Sequence, residues 1–246
     1  MTDSNKTFTV TTYNIRLGIQ QGLSAIADAL ATTGGADILA LQEVGNRWIM
    51  GPDGDSTTTL AAALQMPHHI HVPTIEQQGP DGRPARYGHA LLSRWPIRNH
   101  EIIPLPRLED EPRAMLHALV DAPFGTIDII STHLSHILPD RPEQGRFLLD
   151  WLDENPGDAN SRFLLGDLNA DDDEAWLREL LSRFTDADSD VQRPTFPADD
   201  PARRIDYILS QGAHLEVVDV PTLAGPSDHR PVVSRWVVGS SSHLVG

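Results

Sequence analysis

Two stretches of this chain decide its fold: Leu165-Gly166-Asp167-Leu168-Asn169-Ala170 and, further along, Ser227-Asp228-His229-Arg230-Pro231-Val232-Val233. Each places carboxylate or amide oxygens, or an imidazole, at one end of an apolar run. Catalytic side chains commonly take this position when strands carry them into a cleft at the edge of a sheet. The two stretches therefore predict a polar site built at strand ends.

The same arrangement recurs upstream. Three further apolar runs end on a polar residue: residues 8–13 on Asn14, residues 38–42 on Glu43 and residues 127–132 on His133. Asp206 lies inside the run 204–209, where an apolar strand has no reason to contain a carboxylate. A buried carboxylate must be paired, hydrogen-bonded or metal-bound, because removing it from water alone is costly. Several such strands that converge on one place imply a metal ion.

Length and composition favour one domain. With 246 residues, of which 39% are hydrophobic, the chain can bury one large core. We expect a single domain over residues 1–246, with its core at about 7–238 and short flexible tails. The chain lacks an apolar run of the roughly 20 residues that a membrane helix needs, and its first residues lack the apolar segment of a secretory signal. A cytoplasmic monomer is the expectation.

The net charge disfavours one class of partner, and the absence of cysteine excludes several kinds of site. The formal net charge of −16 works against non-specific nucleic-acid binding, which depends on Lys and Arg releasing counterions from phosphates. Lys6 is the only lysine, and several arginines cluster in regions without apolar patterning. Arginine suits a single phosphate, although a scattered arginine is more often a surface charge. Without cysteine, the chain has no disulfide, thiolate zinc site or cysteine nucleophile.

Apolar patterning predicts alternating strands and helices. The predicted strands are 7–14, 37–43, 88–94, 114–121, 126–133, 162–167, 204–209, 214–220 and 230–238. Helical spacing appears around residues 23–30, 56–64, 147–152 and 176–181, and long loops are predicted at 67–87, 97–112 and 185–203. This order favours two packed mixed sheets with helices outside.

Six short motifs together resemble the endonuclease/exonuclease/phosphatase superfamily. They are Thr12–Ile15, Leu41–Val44, Ser131–Leu134, Gly166–Asn169, Arg204–Tyr207 and Ser227–Pro231. Each motif alone is weak, but their order and spacing match the family from near residue 8 to near 238. The resemblance implies an α/β fold: a four-layered sandwich of two mixed, mostly antiparallel β-sheets packed face to face, with helices outside. It also implies metal-dependent hydrolysis of a phosphoester bond.

The resemblance assigns metal ligands. It implies that Glu43 is the principal ligand, with Asn14 and Asp228 nearby. Phosphoester hydrolysis needs charge neutralisation at the non-bridging oxygens and an activated water. Mg²⁺ or Mn²⁺ would meet the first need, and these hard cations favour the oxygen donors of such side chains.

The resemblance also assigns catalytic residues. It implies that His229 acts on the attacking water or stabilises phosphoryl oxygens, while Asp206 orients its ring. By the same resemblance Asp167 orients or deprotonates the nucleophile. The two remaining assignments are Asn169, which binds the phosphate, and His133, which contacts the phosphate or the leaving group.

Three further residues are candidate phosphate or substrate contacts. Tyr87 and His89 lie in Tyr87–Arg94, which resembles a family strand that commonly carries Asn where this chain has His89. Arg113, in Glu111-Pro112-Arg113, resembles an arginine near the family's site and is the best cationic candidate. Taken singly, several of the candidate site residues also have structural explanations: Asn14 and Asn169 suit turns, and a lone histidine is more often structural.

The leading hypothesis is a phosphodiesterase that acts on a small soluble or lipid-headgroup phosphodiester. A nuclease acting on DNA or RNA is the first alternative, although the net charge disfavours a nucleic-acid partner. A phosphomonoesterase and a catalytically inactive binding relative are the others, and the inactive relative is disfavoured because all six motifs are intact.

Overall fold

The computed structural model describes residues 7–157, 161–212, 215–219 and 225–238. The helices are α1 (Gly22–Thr32), α2 (Ser56–Ala63), α3 (Asp140–Glu154) and α4 (Ala175–Arg183), and a short 3-10 helix covers Arg16–Gly18. The first six strands are β1 (Thr7–Asn14), β2 (Ile38–Asn46), β3 (His68–Gln78), β4 (Pro84–Ser93), β5 (Ile97–Pro104) and β6 (Ala114–Ala122). The others are β7 (Gly125–His133), β8 (Ser161–Asp167), β9 (Thr185–Asp186), β10 (Asp206–Gln211), β11 (Leu215–Asp219) and β12 (Val232–Val238).

These strands form two six-stranded sheets. Sheet A has the order β11-β12-β1-β2-β4-β3, and sheet B has the order β5-β6-β7-β8-β10-β9. The two central strands of each sheet, β1 with β2 and β7 with β8, run parallel. The other neighbours are antiparallel. The parallel pairs need crossover connections, which α1 and α3 provide.

Three apolar clusters define four layers. The central cluster joins the facing sides of the two sheets, with Phe8 and Phe163 packed edge to face at a ring-centroid distance of 5.9 Å. A second cluster lies between sheet A and helices α1 and α2. The third lies between sheet B and helices α3 and α4. The predicted α/β sandwich, with two mixed and mostly antiparallel sheets and helices outside, is confirmed.

Strand alternation decides which polar residues reach the space between the sheets. Because successive side chains point to opposite faces, Phe8 and Val10 in β1 share the central core and Asn14 ends the same row. In β8, Phe163 belongs to that core and Asp167 ends its row. His133 in β7 and Asp206 in β10 also occupy core-facing positions of their strands. The polar site is therefore a continuation of the central core.

The sequence analysis was wrong about two long loops. Region 67–87 contains β3 and the beginning of β4, and region 97–112 contains β5. β3 and β5 are edge strands with mostly half-buried or exposed residues, so neither produces an apolar run. The third predicted loop, 185–203, holds only the two-residue strand β9. The predicted tails, 1–6 and 239–246, lie outside the described residues, as do the end residues 214 and 220 of one predicted strand.

Candidate active site

The predicted polar residues meet at one edge of the two sheets. Parallel strands bring their carboxyl ends to the same edge, so Asn14, His133 and Asp167 end β1, β7 and β8 there. The antiparallel strand β10 begins at this edge with Asp206, and His229 precedes β12. Residues far apart in the sequence thus surround one buried space.

Asn14 joins the two sheets. Its Nδ2 donates to Glu43 Oε1 in sheet A and to Asp167 Oδ2 in sheet B, at 3.0 Å in both cases. Its Oδ1 accepts the backbone N–H of Arg16 at 3.0 Å. One amide therefore separates two carboxylates, which concentrate negative charge around it.

A distortion of β2 directs Glu43 toward this place. Regular alternation would put Glu43 on the same face as Leu41, which packs against the helices α1 and α2. Instead, the pairing of β2 with β4 shifts register between Leu41 and Val44, and Glu43 has a left-handed φ of 53°. β-Bulges next to active sites commonly redirect a side chain in this way. Glu43 remains partly exposed, so its carboxylate is accessible from the cleft.

His229 is held by a carboxylate. Its Nδ1 lies 2.9 Å from Asp206 Oδ2, and that oxygen also accepts the hydroxyl of Thr195 at 2.6 Å. The ring of His229 packs on Phe196 at a centroid distance of 4.8 Å. Sequence analysis missed Thr195, because it lies in a region without strand or helix periodicity and no motif includes it. The hydroxyl and the carboxylate together fix the imidazole.

Both site histidines face Asp167. Oδ2 of Asp167 lies 3.5 Å from His133 Nε2 and 3.7 Å from His229 Nε2. Burial, with the Asp206 carboxylate adding to it, raises the pKa of the Asp167 carboxyl above its ordinary value. Burial alone would lower the pKa of His229, but the carboxylates of Asp206 and Asp167 raise it above its ordinary value. Asp167, Asp206 and His229 can therefore hold a proton among them.

Asn169 stabilises the turn after β8. Its φ of 52° is left-handed, a conformation that Asn tolerates better than most residues. Its backbone N–H donates to Asp167 Oδ1 at 2.9 Å, and its Nδ2 donates to the Leu134 carbonyl at 2.9 Å. The amide thus links the turn to the segment after β7. A phosphate-binding role would use the side-chain donor and acceptor sites of Asn169 that these bonds leave free.

Arg113 lies beneath His133 instead of in the open cleft. Its side chain is only 6% exposed, with Nη1 2.9 Å from His133 Nδ1 and Nη2 3.0 Å from a Glu111 carboxylate oxygen. The structure therefore places the expected cationic phosphate contact in a buried pairing with a site histidine.

The other two predicted contacts lie on β4. His89 is buried between the sheets, and burial, with the neighbouring His71 and Arg113, lowers its pKa to about 3. Tyr87 is nearly buried, and its ring packs on Trp48 at a centroid distance of 5.6 Å. Burial, with the nearby Glu43 carboxylate, raises the pKa of Tyr87. Both side chains remain neutral at physiological pH.

Asp228 occupies the rim of the site. Its Oδ2 lies 3.3 Å from Arg16 Nη1, and the side chain is 26% exposed. The neighbouring Ser227 donates from Oγ to the Asn14 carbonyl at 2.8 Å and so joins this segment to β1. The structure brings Asn14 and Glu43 together and places Asp228 next to an arginine.

The donor chemistry fits a hard divalent cation. Glu43, Asn14 and Asp228 offer oxygen atoms, which Mg²⁺ and Mn²⁺ prefer. Within the described residues, one group of three acidic or histidine side chains has ligand atoms within 4.8 Å of one another: Asp167, Asp206 and His229. The Oδ2 of Asp206 already accepts two hydrogen bonds, whereas its buried Oδ1 has no partner in the described part of the chain.

A sequence model described as the endonuclease/exonuclease/phosphatase family matches residues 11–229. The chain belongs to this family. Enzymes of the family are divalent-metal-dependent phosphoester hydrolases. The matched segment contains all the residues described above, from Asn14 to His229. No curated protein matches the sequence at a significant level.

Solved structures share the fold. An endonuclease/exonuclease/phosphatase from Beutenbergia cavernae is 25% identical, with a TM-score of 0.78 over 96% of this chain and 72% of that chain. Sphingomyelinase C from Streptomyces griseocarneus is 22% identical, with a TM-score of 0.67 over 94% of this chain and 99% of the other. Truncated Caenorhabditis elegans TDP2 is 18% identical, with a TM-score of 0.64, covering 94% of this chain and 98% of that chain.

Among the described residues, no helix has the length and apolar character needed to cross a membrane.

Proposed function

We propose that this protein is a divalent-metal-dependent phosphodiesterase that acts on a small soluble or lipid-headgroup phosphodiester. The observation that carries the proposal is the convergence on Asp167 Oδ2 of Asn14 Nδ2 at 3.0 Å, His133 Nε2 at 3.5 Å and His229 Nε2 at 3.7 Å. A buried carboxylate between two imidazoles suits a reaction in which a water loses a proton next to a phosphate.

The residues that would hold Mg²⁺ or Mn²⁺ are Glu43, Asn14 and Asp228. When bound, the cation would neutralise charge on the phosphoryl oxygens. Glu43 supports this role because its carboxylate is partly exposed and shares the Asn14 amide with Asp167. The bound cation would also favour the ionised forms of the neighbouring carboxylates and the neutral form of His229.

In the proposed reaction, Asp167 and His229 manage the proton of the attacking water. His229 keeps its Nδ1–H on Asp206, which leaves Nε2 directed to Asp167. The proton passes to Nε2 of His229 or to Oδ2 of Asp167, and the Asp206 carboxylate stabilises the imidazolium. Asn169 and His133 are proposed to contact phosphate oxygens or the leaving group, and Tyr87 and His89 to support that surface.

Exposed apolar side chains lie in segments that adjoin the proposed catalytic edge. Ile49 and Met50, in the segment after β2, are 63% and 57% exposed. Leu108, before β6, is 58% exposed, and Leu138, after β7, is 61% exposed. All these segments adjoin strand ends at the catalytic edge. Apolar side chains in these segments suit a compact diester with an apolar group better than a long polyanion.

Hydrolysis of bis-p-nitrophenyl phosphate and of p-nitrophenyl phosphate tests the proposal. We expect release from the diester with Mg²⁺ or Mn²⁺, loss of activity with EDTA, and loss in His229→Ala. Hydrolysis of the monoester alone would replace the proposal with a phosphatase. Nicking of plasmid DNA at a higher rate than diester hydrolysis would favour a nuclease.

The metal ligands can be tested by Mn²⁺ titration. We expect Glu43→Gln to weaken Mn²⁺ binding at least about tenfold, as seen by electron paramagnetic resonance, because it removes a ligand charge. Asp206→Asn is the matched control and should bind Mn²⁺ like the wild type. Weaker Mn²⁺ binding in Asp206→Asn, with unchanged binding in Glu43→Gln, would assign the cation to Asp167, Asp206 and His229 instead.

A further inference from the structure

The contact between Arg113 and His133 has an unusual chemical character. Arg113 Nη1 lies 2.9 Å from Nδ1 of His133, and both side chains are buried. A guanidinium carries only donors and stays protonated in proteins. The Nδ1 atom of His133 must therefore accept, and an imidazole with an accepting Nδ1 carries its hydrogen on Nε2.

We propose that Arg113 is a positioning residue that holds His133 as its neutral Nε2–H tautomer, so that His133 acts as a fixed hydrogen-bond donor and not as a general acid or base. The inference rests on the proposed phosphodiesterase function for its catalytic meaning. The tautomer itself follows from the contact alone.

The second site histidine has the opposite arrangement. His229 Nδ1 faces the Asp206 carboxylate, which is an acceptor, so Nδ1 of His229 carries a hydrogen. The two rings thus present different Nε2 atoms to Asp167 Oδ2: a hydrogen-bearing one in His133 and an exchangeable one in His229. A guanidinium behind one ring and a carboxylate behind the other assign separate tasks to the two histidines.

Apart from Asp167, the titratable groups that face His133 are basic and favour its neutral form. Arg113 faces it from the segment before β6, Asp167 from β8 and His89 from β4. His229 and His136 approach it from the segments before β12 and after β7. Burial and the Arg113 charge hold the pKa of His133 well below its ordinary value. A proton on Nδ1 would also remove the acceptor of the guanidinium.

This state limits what His133 can do in the reaction. A neutral imidazole that gave up its Nε2 proton would become an imidazolate, so His133 cannot protonate the leaving oxygen. It can donate a hydrogen bond from Nε2 to a phosphoryl oxygen. As the bond from water oxygen to phosphorus forms and the bond to the leaving oxygen breaks, the water proton goes to His229 or Asp167. The leaving oxygen takes its proton from His229 Nε2 or from solvent.

Nitrogen-15 NMR of the histidine side chains tests the tautomer directly. The full chain, labelled with ¹⁵N-histidine and loaded with diamagnetic Mg²⁺, is measured at pH 7, and His133→Asn identifies the His133 signals. We expect the wild type to show a non-protonated Nδ1 and a protonated Nε2 in His133. A protonated Nδ1, either as the other tautomer or as the imidazolium, would overturn the inference. This measurement needs no change to Arg113.

Variants test the part played by Arg113. In Arg113→Met, which keeps length and removes the donor, we expect His133 to lose its pure Nε2–H signature and kcat on the diester to fall at least about tenfold. Arg107→Met is the control, since Arg107 donates to the Asp110 carbonyl in the same segment. An unchanged His133 signature in Arg113→Met would remove Arg113 from this role. A chain with the expected tautomer and no diester hydrolysis would refute only the proposed function.

Discussion

The reactive groups of this site depend on neighbours that donate or accept on their far side. Asp206 Oδ2 is shared by Thr195 and His229, and Asp167 Oδ1 accepts the Asn169 N–H. These partners leave little signal in the sequence, because a hydroxyl or a backbone N–H that serves this purpose has no required spacing along the chain. They nevertheless fix ring orientation and protonation state at the site.

Asp206→Asn tests the proposed orientation of His229. The amide cannot stabilise an imidazolium as a carboxylate does, so we expect kcat on the diester to fall at least about a hundredfold. Thr195→Val keeps the shape and removes only the hydroxyl, and its loss should be nearer to tenfold. Steady-state kinetics on bis-p-nitrophenyl phosphate measures both. Equal, small effects would show that Asp206 has no special role.

His89→Asn tests the electrostatics beneath the site. The pKa of folded His89 is about 3 against an ordinary 6.5, so the unfolded chain binds a proton first as pH falls. His89 therefore lowers the free energy of unfolding progressively as pH falls below about 6.5. We expect the variant to reduce this slope by up to about 1.4 kcal/mol per pH unit between about pH 6 and pH 4.

Urea denaturation at several pH values measures the slope for the His89 variant. His100→Asn, at an exposed position of β5, is the control and should follow the wild type. A wild-type slope in His89→Asn would mean that His89 takes up its proton without unfolding the chain.

At the scale of secondary-structure elements, close contacts and local distortions place the site. The left-handed Glu43 in β2 turns its carboxylate from the helix side toward Asn14. On the opposite side of sheet B, α3 approaches α4 so closely that Gly145 lies against the Trp176 ring, where any Cβ would overlap the indole. The close approach of α3 and α4 therefore depends on the missing side chain of Gly145.

Gly145→Ala tests the contact between α3 and α4. Alanine normally stabilises a helix by about 1 kcal/mol relative to glycine. Here the overlap with Trp176 should outweigh that gain, and we expect a net loss of about 1–3 kcal/mol in the free energy of unfolding. Asp150→Ala, exposed on the same helix, should change it by less than about 0.5 kcal/mol. A stabilised Gly145→Ala would show that the helices separate freely.

At the scale of the whole molecule, net charge bears on the choice of substrate. The chain has 35 acidic residues against 19 basic ones. Several arginines are also paired with acids, such as Arg204 with Asp186 and Arg141 with Glu174. The field around the molecule therefore repels a polyanion, while the proposed cation would let the site bind one phosphate.

Duplex DNA binding tests this conclusion. Because few Lys and Arg side chains are available to release counterions from DNA phosphates, we expect a Kd weaker than about 1 µM at physiological salt. Fluorescence anisotropy with a labelled duplex, repeated at several salt concentrations, measures it. Tight binding that weakens steeply with salt would contradict the expectation and favour the nuclease alternative.

Sequence alone determined the two-sheet architecture and the residues that meet at its edge. Apolar alternation predicted the central strands, because buried strands must be apolar on core-facing positions, and Asn14, His133, Asp167 and Asp206 end or interrupt those rows. It missed β3 and β5, since edge strands are partly exposed and carry no apolar run.

The orientation of the site residues depends on tertiary contacts. The register shift at Glu43, the hydroxyl of Thr195 behind Asp206 and the guanidinium of Arg113 behind His133 have no fixed spacing along the chain. Arg113 and His133 are neighbours because β6 pairs with β7, and the Asn14 amide reaches Asp167 because the two sheets pack face to face. Local sequence specifies which strands form, whereas contacts between distant strands specify which atom of each side chain faces the site.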